Sequence, residues 1–292
     1  MSPAPTSLAE WLEDIERQHP KSIALGLDRV ARVRDAMGLA PAFPIITVGG
    51  TNGKGSVCAM LEAILHCAGY RVGRYTSPHL LRYNERVRVA RAEASDEDLA
   101  RGFAVVERAR GEVPLTYFEY GTLAAVWLFV ELRVDVAGLE VGLGGRLDAV
   151  NAFDADCAVV TTIDIDHVDF LGGDREAIGR EKAGIFRAGH PAVCADSAPP
   201  ASLLRHASEI GARLLRTARR PGLGGSLRAP GAHRRLRRDL HSGLQPELPV
   251  DDDPLARPEP LRDDRLARVR SRARHGPLPD RPVVLPAEDV AP

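Results

Sequence analysis

The sequence predicts an α/β fold of the phosphate-loop type, a mostly parallel sheet flanked by helices, followed by an irregular tail. Three observations carry this. From Ile45 to about Leu215, short apolar runs alternate with helix-length amphipathic stretches, the pattern of βαβ units. The first apolar run leads directly into a glycine-rich loop and then a helix. After about Arg216 both patterns stop.

Taken in order, strands are expected at Ile45–Val48, Val72–Tyr75, Val134–Val141, Cys157–Thr162 and Ala192–Ala195. Each is apolar and β-branched enough for a sheet covered on both faces. Helices fall between them, the first opening at Ser56 and running to Ala68. Ser95, followed three residues later by Asp98, is an N-cap signal for Leu99–Arg110, and Gly184 marks a stop after Asp174–Ala183.

Two regions follow from this: a nucleotide-binding domain over residues 1–216 and a tail over 217–292. The tail holds 15 Arg and 12 of the 22 Pro, yet no Lys, Ile, Asn, Met, Cys or aromatic residue. Proline at that density breaks helices and central strands, and few large apolar groups remain to offset the entropy of ordering. The tail is therefore expected to be disordered. Its composition is that of a natural Arg/Pro-rich tail or of a GC-rich coding sequence read out of frame, and the second is preferred because the family likeness described below ends where the tail begins.

Lys and Arg total 39 against 40 Asp and Glu, so no charge excess exists to grip a nucleic-acid backbone. Small-molecule chemistry is the better expectation. Met1–Glu10 lacks the basic patch and apolar run of a secretory signal, and no segment reaches the ~20 apolar residues of a membrane span. A cytoplasmic monomer without membrane or nucleic-acid partners is expected. Cys58, Cys67, Cys157 and Cys194 form no CxxC pair, and are expected to be reduced, mostly buried and without metal or catalytic roles.

The segment Gly50-Thr51-Asn52-Gly53-Lys54-Gly55-Ser56 sits between the first strand and its helix, where a phosphate loop belongs. Glycines let backbone N–H groups approach phosphate oxygens, Lys54 supplies a point charge for the β/γ-phosphates, and the helix N-terminus adds partial positive charge. The plain alternative is a glycine-rich turn with an incidental lysine. Glu140 ends the apolar run Val134–Val141 and so should project from the carboxyl edge of a strand, a natural position for a Mg²⁺ ligand.

Several further segments, in order and spacing, give the likeness its specificity. They are Tyr75-Thr76-Ser77-Pro78-His79-Leu80, Leu115 to Thr122, Leu139 to Ala149 with its Gly-Leu-Gly-Gly-Arg-Leu-Asp core, Asp166-His167, and Arg180-Glu181-Lys182-Ala183-Gly184-Ile185. With the loop Gly50–Ser56, the chain from about Leu8 to Leu215 resembles the folate-ligase branch of the Mur ligase superfamily, the bifunctional dihydrofolate synthase/folylpolyglutamate synthases of bacteria.

The resemblance implies an ATP- and Mg²⁺-dependent ligase that joins L-glutamate to the carboxylate of dihydropteroate or a folate. It implies that Ser77, Glu140 and His167 hold metal ions at two sites, although on residues alone His167 reads rather as a hydrogen-bonding loop residue. It implies that Lys182 is carbamylated by CO₂ and helps hold the second metal; otherwise Lys182 is a surface cation favoured near a helix C-terminus. Ser22, Ile23, Ala24 and Leu25, with Thr116, Tyr117 and Phe118, match the pteroate contacts, Phe118 stacking on a flat ring, or else packing as a core aromatic. Ala24 stands where dihydrofolate-forming relatives often carry an acidic residue, which weakens the case for dihydropteroate. In the implied reaction the substrate carboxylate attacks the γ-phosphate of ATP to give an acyl phosphate, with Lys54 and Mg²⁺ neutralising charge, and the glutamate amine then displaces phosphate. The glutamate contacts and the Asp-x-Ala-His-Asn-Pro motif that the family carries later do not occur after Arg216. The competing expectations are a non-catalytic ATPase-domain remnant and a peptidoglycan Mur ligase using a UDP-sugar.

Overall fold

The computed structural model describes residues 5–18 and 23–216, all within the first unit of the chain. Ser22 and the expectations for residues 217–292 lie outside the described residues. Helices α1 (Leu8–Gln18) and α2 (Asp28–Ala36) precede strand β1 (Ile45–Gly49) and helix α3 (Lys54–Cys67). Strands β2 (Val72–Tyr75), β3 (Val87–Val89) and β4 (Ala92–Glu93) lead to helices α4 (Asp96–Arg110) and α5 (Tyr117–Glu131). Then come β5 (Val136–Glu140), β6 (Cys157–Val160), α6 (Val168–Leu171), α7 (Arg175–Ala183), β7 (Pro191–Cys194), α8 (Ala201–Glu209) and β8 (Arg213–Arg216).

One sheet runs in the order β4-β3-β2-β5-β1-β6-β7-β8. All neighbours from β2 to β8 pair in parallel, and only the β2–β3 and β3–β4 pairs are antiparallel. The mostly parallel α/β fold expected from the sequence is therefore the fold found. Successive strand residues face opposite sides, and β2 shows which helices lie where. A side chain at Gly73 would run into Phe129 of α5, whereas the next residue, Arg74, meets Glu62 of α3 at 3.0 Å. So α3 covers one face and α5 the other. Ten residues of α5 are buried, because it lies between the sheet and helices α1, α2 and α4. That position explains a helix apolar nearly all round.

Element ends shift by one to three residues for local reasons. Helix α3 starts at Lys54 rather than Ser56, because Gly53 takes the left-handed conformation (φ 82°) as its N-cap. The strand expected over Cys157–Thr162 ends at Val160 because the Thr161 and Thr162 side chains turn to Asn52 of the loop after β1. Ser95 caps α4 through the Asp98 N–H (3.1 Å), as its spacing suggested, and α4 begins at Asp96. Asp174 proves to be the N-cap of α7, accepting from Ala177 N–H at 2.8 Å, and Gly184 the stop. All four cysteines are free. Cys58 and Cys194 are buried and Cys157 is half-buried, but Cys67, at the open end of α3, is exposed. No helix among the described residues is long and apolar enough to cross a membrane.

Candidate active site

In a parallel sheet the strands deliver their carboxyl ends to one edge, and a ligand crevice opens where successive connections leave in opposite directions. Here β1 connects through α3 to one side of itself, while β6, its neighbour on the other side, leads outward to β7 and β8. The ends of β2, β5, β1 and β6 thus lie together. They carry Ser77, Glu140, the loop Gly50–Gly53 and the segment Thr161–His167.

The loop is shaped as a phosphate cradle. No side chain caps the N-terminus of α3, so its first N–H groups remain free as donors. The Lys54 ammonium donates to the carbonyls of Gly50 (3.1 Å) and Thr51 (3.2 Å), which holds it over the loop.

Glu140 ends β5 at 4 % exposure, beside the start of α3. Its carboxylate accepts the Ser77 N–H at 3.1 Å and forms no ion pair among the described residues. Burial pushes its carboxyl up, opposed by the Ser77 N–H and by the Lys54 and Arg74 charges. A buried carboxylate short of positive partners at the mouth of a phosphate cradle fits a divalent cation, and Mg²⁺ needs only one or two protein oxygens besides phosphate and water. His167 sits at a left-handed position (φ 48°) heading α6, half-exposed, its Nε2 3.5 Å from Asp166 Oδ2. Among the described residues, His, Cys, Asp and Glu nowhere gather in threes.

Lys182 is buried, at 3 % exposure. Desolvation, helped by the Lys54 charge and opposed by Asp166, lowers its pKa to about 8. The surface-cation alternative is thereby removed. Its burial follows from α7, where Ile178 and Lys182, four residues apart, share the inward stripe.

The two stretches assigned to a substrate ring meet across α2. The Arg29 guanidinium grips Glu119 with Nε (3.2 Å) and Nη2 (2.7 Å) while donating to Ala24 O at 2.7 Å. Glu119 also closes the capping box that starts α5, accepting Thr116 N–H at 2.8 Å. Ile23, Ala24 and Leu25 are therefore tied to Thr116–Phe118. Phe118 lies against Gly142, where an added Cβ would come 2.8 Å from its Cζ. Tyr117 packs edge-on to Tyr83, with the Arg86 guanidinium 5.3 Å from the Tyr83 ring centre and 5.5 Å from that of Tyr117. Asp148, quoted in the motif but given no role, staples the Gly142–Leu147 turn by accepting Leu143 N–H (2.9 Å) and Val150 N–H (3.0 Å); burial outweighs these bonds and raises its carboxyl to about 7.

Arg29→Ala should cost about 3 kcal/mol of folding stability, because it strands a buried carboxylate rather than a solvated one. Arg29→Lys should recover only part, lacking the planar fork. Urea denaturation is the check, and a loss under ~1 kcal/mol would class the pair with ordinary surface bridges.

A family model for the Mur ligase middle domain matches residues 48–218. The dihydrofolate synthase/folylpolyglutamate synthase of Escherichia coli (strain K12) is 55% identical over 214 residues, covering 73% of this chain and 51% of that protein. Among solved structures, E. coli FolC in complex with DHPP and ADP superposes with a TM-score of 0.72 at 54% identity, over 74% of this chain and 52% of that one. The bifunctional folylpolyglutamate synthase/dihydrofolate synthase from Yersinia pestis, complexed with AMPPNP and Mn ion, gives a TM-score of 0.70 at 53% identity, over 74% and 53%. The chain spans about half the length of the curated relatives it matches.

Proposed function

The chain belongs to the Mur ligase family through its middle domain, and from that premise we propose that it serves ATP-dependent formation of an amide between L-glutamate and the carboxylate of dihydropteroate or a folate. One observation carries the reading: Phe118 packs on Gly142, two residues beyond Glu140. The wall assigned to the aromatic substrate and the carboxylate assigned to the phosphate end thus share one short turn. A substrate lying along Phe118 would present its carboxylate to the terminal phosphate.

In this reading residues 1–216 are an ATP-binding domain. Within the Gly50–Ser56 loop, the backbone N–H groups not bonded to Thr162 and the open turn of α3 hold the phosphates, and Lys54 exchanges its loop carbonyls for β/γ-phosphate oxygens. Ser77 and Glu140 would hold one Mg²⁺, with His167 and carbamylated Lys182 at a second site. Bound Mg²⁺ supplies neutralisation of the charge that develops on the transferring phosphoryl group. No protein nucleophile is needed, since the substrate carboxylate attacks the γ-phosphorus, ADP leaves, and the glutamate amine then expels phosphate from the acyl phosphate. What the chain contributes is alignment and exclusion of water around groups brought to one sheet edge.

Phosphate release from ATP should rise on adding dihydropteroate or folate with glutamate and stay unchanged with a UDP-sugar substrate. Stimulation by the UDP-sugar alone would move the reading to the peptidoglycan branch, and nucleotide binding without stimulation by either would leave a non-catalytic domain. For residues 217–292, composition supports translation out of frame. The nucleotide sequence around codons Leu214–Arg220, read in all three frames, decides that point.

A further inference from the structure

Thr51 has no donor left for a nucleotide phosphate. Its N–H donates to Thr162 O (2.7 Å), its carbonyl accepts from Lys54 Nζ (3.2 Å), and its hydroxyl both donates to Asp164 O (3.1 Å) and accepts from Asp164 N–H (3.0 Å). Beside it, Asn52 N–H donates to Thr162 Oγ1 (3.2 Å) and Thr161 Oγ1 donates to Asn52 O (2.7 Å). The nucleotide loop is thereby bound to the segment after β6.

That segment has few other supports. Ile163 is fixed on both sides, its N–H by Asp196 Oδ2 (2.8 Å) and its carbonyl by Arg175 Nε (2.9 Å), but beyond Asp164 the next bonds are local: Ile165 N–H to Asp164 Oδ1 and His167 N–H to Asp166 Oδ1, each 2.8 Å. Three residues past Asp164, His167 holds a left-handed backbone (φ 48°), a conformation that persists in a non-glycine residue only when its surroundings enforce it. Among the described residues, Asp164 is the last of the segment to be hydrogen-bonded to the nucleotide loop.

We infer that Thr51 is a positioning residue whose hydroxyl clasps the Asp164–His167 segment to the nucleotide loop, so that the loop holding the phosphates also sets His167. The inference rests on the proposed ATP site and on His167 as a metal ligand. It assigns Thr51 a role in metal affinity rather than in nucleotide contact. Groups that orient a ligand from behind typically alter metal affinity by about 10–100-fold.

The test uses the full chain, ADP and Mn²⁺. ADP affinity is measured by calorimetry in EDTA, and Mn²⁺ affinity for the ADP complex by electron paramagnetic resonance. Thr51→Val, near-isosteric but without the hydroxyl, should lose Mn²⁺ affinity by about tenfold or more. Its ADP affinity in EDTA should fall far less, and Thr51→Ser should restore Mn²⁺ binding. Should Thr51→Val fail to fold by thermal melting, Thr51→Ala, which removes the same hydroxyl without adding a branched methyl, should show the same selective loss. Wild-type Mn²⁺ affinity in the valine variant, or a loss of ADP affinity as large as the loss of Mn²⁺ affinity, overturns the clasp while leaving the ATP site standing. Failure of the wild-type chain to bind ADP would overturn the ATP site itself, and the clasp with it.

Discussion

On the proposed function, Lys54→Ala and Glu140→Ala in a full-length form of this protein are each expected to lower ATP-dependent ligation by roughly 10²–10³-fold, about 3–4 kcal/mol of barrier, the scale seen when one preorganised charge-stabilising group is removed. The two losses have different origins. Lys54 is the only cation among the described residues hydrogen-bonded into the nucleotide loop, so its loss leaves backbone dipoles alone to face the phosphates. Glu140→Ala removes the buried carboxylate and also strands the Ser77 N–H that it accepts at 3.1 Å. Glu140→Gln separates these effects, since the amide oxygen still takes the N–H but brings no charge. It should be nearly as slow as the alanine variant while folding like the wild type. For both positions kcat should fall with little change in the KM of the folate substrate, because the charges act on the phosphoryl group. Retention of more than about a tenth of the wild-type rate, a loss under ~1.4 kcal/mol, would remove that residue from the mechanism.

Glu140 and the phosphate loop were legible in the sequence because both are punctuation. An apolar run that stops at a carboxylate, and a strand that stops at Gly-Thr-Asn-Gly-Lys, mark a sheet edge without any knowledge of partners. The five strands named from apolar runs, at residues 45, 72, 134, 157 and 192 onward, all exist and pair in parallel, because strands buried on both faces must be apolar throughout. The sheet edges were not legible. Val87–Val89 and Ala92–Glu93 are too short to show a period, and Arg213–Arg216 reads as polar because an edge strand need bury little; only its Leu214 and Leu215 are apolar.

Contacts between distant segments left no pattern either. Arg29 meets Glu119 across 90 residues and Thr51 meets Asp164 across 113, and nothing local in either stretch demands the other. One partner of each pair, Glu119 and Thr51, lies in a motif quoted from the sequence, whereas Arg29 and Asp164 lie in none, and the family likeness gave the Thr51 segment to the nucleotide. Lys182 is the instructive case. Its place four residues after Ile178, on the stripe that α7 turns inward, was a readable sign of burial, overlooked because a lysine near a helix C-terminus already has a sufficient surface explanation.

That burial leads to the second large effect: in CO₂-free buffer at pH 7, Lys182→Met is expected to stabilise the fold by up to about 3 kcal/mol. The folded-state pKa of Lys182, about 8, lies below the ordinary 10.5. Between these values the unfolded chain binds a proton that the folded protein does not, so stability falls as pH drops from 10.5 to 8 and the whole penalty persists below. The span converts to roughly 3 kcal/mol at about 1.4 kcal/mol per unit. Methionine fills the same space without the charge, so the difference between variant and wild type should be small above about pH 10.5 and fully developed below pH 8, as followed by urea denaturation across the range. A wild-type curve parallel to the variant's from pH 7 to 11 would show that the amine is not desolvated in solution. The same depressed pKa makes the residue chemically available. At pH 7.5 about a quarter of the amine would be unprotonated, against about one part in a thousand for an ordinary lysine, and only the free amine reacts with CO₂. Bicarbonate-rich buffer should therefore add mass at Lys182 in native spectra, lost on acid treatment, and should raise wild-type stability toward that of the methionine variant when Mn²⁺ is present to pair the new carboxylate. Methionine should gain nothing from CO₂ and, on the proposed second metal site, should lose Mn²⁺ binding there, so the substitution that best relieves the fold also removes the group proposed to hold that metal.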